Sequence, residues 1–141
     1  MQQLIEFAGN HAFLSGAFVA VFLALVWSEF SRHTRGFAEL TPAQAVPMIN
    51  RGETVVIDIS SSADFAKGHI VKARNIKPSR LAQPDDELLK LAQKNILVTC
   101  KNGQASPAAA AALVKLGARQ VAVLKGGMMQ WIADNYPVTR S

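Results

Sequence analysis

The sequence predicts an α/β fold: a parallel sheet flanked by helices, preceded by one N-terminal transmembrane helix. Three observations carry that expectation. A long stretch near the N-terminus is uncharged, short β-branched runs alternate with helix-like segments after it, and the only cysteine ends one of those runs.

Residues 7–28, FAGNHAFLSGAFVAVFLALVWS, contain no Asp, Glu, Lys or Arg. A helix of that length rises roughly 33 Å, enough to cross a hydrocarbon core of about 30 Å. Asn10 and His11 suit one headgroup region and Trp27 the opposite one. A cleaved leader is disfavoured, because the first six residues carry no Lys or Arg and no clear A-x-A site follows. A buried soluble helix would show a polar face, and residues 12–27 show almost none. Arg32, His33 and Arg35 follow the span, so the positive-inside rule puts the N-terminus outside and the C-terminal part in the cytoplasm. The expected organisation is an anchor segment over residues 1–28, a polar linker over 29–36 and a globular domain over 37–141.

Within that domain FAEL reads as a short edge strand. The next stretch, TPAQAVPMINRG, opens as a helix with Thr41 as N-cap, Pro42 at the first helical position and Gln44 closing a capping box. Pro47 lacks the amide that would bond the Ala43 carbonyl, so a kink or break is expected there. TVVIDI (54–59) reads as a buried strand, SADFAKG as a turn or two of helix, and ARNI as a second strand. Pro84, Asp85, Asp86 and Glu87 place negative charge at the start of a helix ending in LLKLAQK. NILVTC is a strand, SPAAAAALVKLG a helix ended by Gly117, QVAVL a strand, and MMQWIADN a helix after Gly126 and Gly127.

Cys100 stands at the end of NILVTC, and the C-terminal edge of an open parallel sheet is where ligands bind. Lys101 to Ala105 must turn, Asn102 and Gly103 favour a tight reversal, and Ser106 and Pro107 resemble an N-cap and first helical residue. Such a loop curls its amides into an anion-binding nest at a helix start, with Lys101 adding a cation. The expectation is a thiol at a mouth, held as the reactive thiolate. A lone cysteine on a strand is otherwise a small buried hydrophobe.

Net charge is +5, from 15 basic and 10 acidic residues, yet no basic cluster is interleaved with aromatics, so nucleic acid is not an expected partner. One cysteine excludes an internal disulfide and a multi-cysteine metal site, and an unpaired thiol suits a reducing compartment.

VIDISSSADFAKGHIVKARNI, VTCKNGQAS and VLKGGMMQWIADNYPV, in that order, resemble the signatures of the rhodanese-like domain family from about Leu40 to Val138. The resemblance implies that Cys100 takes up a sulfane sulfur as a persulfide and passes it to a thiophilic acceptor. It implies that Lys101, Asn102, Gly103, Gln104, Ala105 and Ser106 bind the persulfide, and that no metal or organic cofactor is needed. Asp58, His69, Gly126, Gly127 and Trp131 match signature positions, which for Asp58 and His69 are read as fixing loops. Partners then expected are the bilayer through residues 7–28, a sulfane-sulfur donor, a thiol acceptor and, for a non-enzymatic docking module, a membrane protein. The anchor resembles that of membrane-tethered bacterial members, implying a single-pass protein of the bacterial inner membrane. Many members carry Arg where Ser60 and Ala105 stand here, and losing those guanidiniums weakens the hold on thiosulfate-like anions. Phosphatases with related cysteine loops need C-x5-R, and here that place is Ser106.

Overall fold

The computed structural model describes residues 1–33 and 36–140, in two compact units that divide between Arg35 and Gly36. The N-terminal unit holds α1 (Gln2–Asn10) and α2 (Ala12–His33). The span expected over residues 7–28 is therefore shifted. His11 leaves helical geometry at φ −127° and ψ 49°, stacked on Phe7 with ring centroids 4.8 Å apart, and separates the two helices. The stretch long and apolar enough to cross a membrane is Ala12–Ser31. Residues 29–33 continue α2, so the expected linker over 29–36 is helical in its first part. Thr34 and Arg35 lie outside the described residues, as do the side chains of Arg32 and His33.

The second unit is a five-stranded parallel sheet in the order β1-β5-β4-β2-β3. Its strands are β1 (Ala38–Leu40), β2 (Thr54–Asp58), β3 (Arg74–Asn75), β4 (Asn95–Thr99) and β5 (Val121–Leu124). The inner strands bury both faces, which is why VVID, ILVT and VAVL read as continuous apolar runs rather than alternating ones. Side chains nevertheless alternate between two cores. Ile57, Ile96, Val98, Val121 and Val123 enter one, while Val56, Leu97, Ala122 and Leu124 enter the other.

Helices cover both faces. The first core is closed by α5 (Pro78–Ala82), α6 (Asp86–Leu91) and α7 (Ser106–Lys115), through Leu81, Leu88, Leu91, Ala109, Ala110 and Leu113. The second is closed by α3 (Pro42–Asn50) and α8 (Gly127–Ala133), through Ala45, Met128 and Trp131. A short α4 (Ser62–Lys67) lies between β2 and β3 and ends at Gly68.

The capping box opening α3 is present: Thr41 Oγ1 accepts from the Gln44 amide at 3.4 Å, and Gln44 Oε1 accepts from the Thr41 amide at 3.0 Å. Thr41→Ala removes one of those bonds and is expected to cost about 1 kcal/mol in urea unfolding. The break expected at Pro47 does not occur. One hydrogen bond is lost, but fully buried Ala45 and the packing of Val46 and Ile49 hold the turn, and tertiary contacts outweigh local preference. At the start of α6, Asp85 Oδ1 accepts from the Leu88 amide at 2.9 Å. That amide and then the Arg80 guanidinium hold the Asp85 carboxyl below the ordinary carboxylate range, so the cap survives mild acid and is lost only as pH falls through the lowered value. Helix α7 ends in a Schellman arrangement: the Gly117 amide donates to Val114 O at 3.0 Å and the Ala118 amide to Leu113 O at 3.1 Å, with Gly117 at φ 96°.

All strands run the same way, so their first residues share one rim and their last residues the other. Gly36, just before β1, belongs to the first rim, where a Cβ would meet Val114 Cγ1 at 3.1 Å. Cys100, one residue past β4, belongs to the second.

Candidate functional site

Cys100 follows the central strand and shares the parity of Ile96 and Val98, so its side chain turns into the same core as theirs. It is 3 % exposed. The thiol expected at an open mouth is therefore enclosed, because strand alternation carries it into the core that α5, α6 and α7 close instead of into solvent.

The cysteine loop is shaped by α8. The first amides of a helix lack intrahelical partners, and here those of Met128 and Met129 donate to the carbonyls of Cys100 and Lys101 at 2.8 and 2.9 Å. With both carbonyls drawn toward α8, the chain reverses through Gly103 at φ 82°, and the Gly103 amide donates to Cys100 Sγ at 3.1 Å. The nest expected over residues 101–106 is thus narrower than its sequence suggested. The Gln104 amide is taken by Asn102 Oδ1 at 3.1 Å, since a short carboxamide closes its own local turn.

Backbone packs on backbone across this junction. A Cβ on Gly103 would lie 2.9 Å from Gly126 N, and one on Gly127 would lie 2.3 Å from Cys100 O and 2.6 Å from Gly103 N. Gly126 and Gly127 both have positive φ, at 76° and 60°. The pair lets the start of α8 approach the loop closely enough for its amides to reach.

Ser106 is not the N-cap. Ala105 already has αR geometry and occupies the cap position without a side-chain bond, so Ser106 is the first helical residue. Its hydroxyl is fully buried, and among the described residues no group bonds it. Lys101 does not act as an unshared cation: its ammonium lies 3.9 Å from Asp64 Oδ1, and Lys67 lies at the same distance from that oxygen.

The remaining signature residues brace the rim. Asp58 is fully buried, and its Oδ1 accepts from both the Ser60 amide and the Ser60 hydroxyl, while Oδ2 has no partner among the described residues. Asn75 Nδ2 donates to the carbonyls of Asp58 and Ser60 at 3.0 and 2.9 Å, tying β3 to the same turn. His69 stacks on Phe65 with centroids 3.7 Å apart, and its Nδ1 lies 2.7 Å from Phe65 O. Its backbone exchanges two hydrogen bonds with Thr139, so His69 secures the C-terminal segment. Trp131 Nε1 donates to Pro137 O at 2.9 Å, fixing the buried face of α8.

A depression of about 170 Å³ opens beside the loop, lined by Ser60, Asp64, Lys67, Gly68, Lys101, Met128, Met129 and Ile132. Cys100 is not among its walls. Asp64, Met128 and Met129 were not singled out from the sequence. The pair Ser61 and Asp64, in the S-x-x-D spacing of a helix start, was the available signal for the first.

Comparison with known proteins matches residues 41–134 to the family described as rhodanese-like domain. The protein YibN of Escherichia coli (strain K12) is 36% identical over 141 residues, covering 99% of both chains. The thiosulfate sulfurtransferase GlpE of Stutzerimonas stutzeri (strain A1501) is 37% identical over 101 residues, 72% of this chain and 89% of that protein. Among solved structures, a rhodanese-related protein from Thermoplasma volcanium superposes with a TM-score of 0.64 at 28% identity, covering 74% of this chain and all of the other.

Proposed function

The chain belongs to the rhodanese-like domain family, and on that premise we propose that Cys100 carries sulfane sulfur as a persulfide for a membrane-tethered sulfurtransferase. The Gly103 amide directed at Cys100 Sγ at 3.1 Å, one residue past the central strand, is the observation that supports it. In the first step the Cys100 thiolate attacks the outer sulfur of a donor such as thiosulfate. A new S–S bond forms, and sulfite leaves with the electron pair of the bond that breaks. In the second, an acceptor thiolate attacks the terminal sulfur, and Cys100 leaves as thiolate. The Gly103 amide stands beside the charge on Sγ in the attacking thiolate and again as Cys100 leaves, an electrostatic contribution that requires no reorganisation.

Residues Ala12–Ser31 serve as the bilayer anchor, with the domain in the cytoplasm of a bacterium and the N-terminus outside the inner membrane. Neutral Ser60 and Ala105 make thiosulfate a poor donor compared with a persulfide or polysulfide.

The low exposure of Cys100 favours a second reading, in which the domain only docks a membrane protein. Incubating the full chain in detergent with polysulfide and weighing it intact separates the two. The expected result is the mass of one added sulfur, removed by dithiothreitol. An unmodified thiol that also alkylates slowly supports docking instead.

A further inference from the structure

The depression beside the cysteine loop has a composition that an inorganic donor does not require. Met129 and Ile132, one helical turn apart on α8, are 59% and 52% exposed, and Met128 lies beneath them. Large apolar side chains left in water at a site mouth mark a contact surface. On the facing side Lys67 and Lys101 share a single carboxylate, Asp64, so the rim keeps an excess positive charge. Lys125, exposed and one residue past β5, stands on the same sheet rim. A small dianion would be held by a bidentate guanidinium, and neither Ser60 nor Ala105 supplies one.

We infer that this depression is the docking cleft for a protein segment whose cysteine is flanked by apolar and acidic side chains, and that the cleft holds this segment against the loop that carries Cys100, through Lys101. The inference rests on the persulfide reading for its chemistry, but the cleft is defined by its own residues. The apolar side chains of the segment cover Met129 and Ile132, while its carboxylates compete with Asp64 for Lys67 and Lys101. Displacing Asp64 gives the segment its selectivity, because a basic segment would meet two ammonium groups instead.

The test uses the full chain in detergent and fluorescence anisotropy. The probe is a short labelled peptide with glutamates and leucines around a central serine, which stands in for cysteine so that no sulfur moves. Two controls replace its glutamates by lysine or its leucines by serine. The expected result is that the acidic, apolar peptide binds at least about tenfold tighter than either control, and that added salt weakens it. The doubly substituted Met129→Ser, Ile132→Ser protein loses about tenfold in affinity, and Lys101→Glu removes the preference for glutamate. Both changes fall on exposed side chains, and unchanged melting temperatures confirm that the fold is kept. Equal affinity for all three peptides, or affinity indifferent to Met129 and Ile132, overturns the inference. Failure of sulfur uptake with peptide selectivity intact defeats the persulfide reading and leaves the cleft standing.

Discussion

Cys100→Ser takes up no sulfur from polysulfide, and its melting temperature stays within a few degrees of the parent: that is the expected result for the chain's only thiol. A hydroxyl cannot form the S–S bond on which uptake depends, so the loss is complete and not partial. Stability changes little because serine is nearly isosteric. Its oxygen occupies the place where the Gly103 amide already donates, so a buried hydroxyl is introduced with a partner in reach. About 1 kcal/mol of destabilisation is the expected scale. Intact-mass measurement and thermal unfolding read the two quantities separately. Sulfur retained by the serine protein would mean that it binds without a covalent link to Cys100, and the persulfide proposal would fall.

The second large effect concerns a residue that never touches the sulfur. Alanine at position 127 would place its Cβ 2.3 Å from Cys100 O, 2.6 Å from Gly103 N and 3.0 Å from Asn102 N. All three are backbone atoms, so no side-chain rotation relieves the overlap. The residue also sits at φ 60°, where an L side chain costs about 1–2 kcal/mol by itself. The start of α8 must withdraw, and the Met128 and Met129 amides then lose the carbonyls that shape the loop. A destabilisation of about 3–5 kcal/mol is expected, with sulfur uptake lost and the thiol alkylating faster in the folded protein. Gly117→Ala is the matched control. It has φ 96° but nothing within 4 Å of its Cβ, so only the backbone cost remains and uptake is kept. A Gly127→Ala protein that melts and reacts like the parent would show that the close approach of α8 has no bearing on the site.

The strands were legible because buried strands produce short β-branched runs, as those ending in Asp58, Thr99 and Leu124 do, and the parallel sheet because helices alternate with them; the strand order was not. The capping box at Thr41 was equally local and could be read from four residues. The break expected at Pro47 fails because its penalty is local while the packing of Ala45 is not. Ser106 misled because Ala105 adopts αR geometry one residue earlier, and no residue type reports that. The short α5 was not anticipated at all, although Pro78 stands at its first position. Burial of Cys100 could have been foreseen from its parity with Ile96 and Val98; the turn that follows drew attention away from it. The hold of α8 on the loop joins residues far apart in the chain through main-chain atoms, for which two adjacent glycines were the only trace.

Gly36 and Cys100 lie at opposite ends of the strands. The chain therefore enters the domain where Val114 packs, a full strand length away from Cys100. Changes of composition ahead of Gly36 are therefore expected to leave the cysteine loop, at the far ends of the strands, as it is.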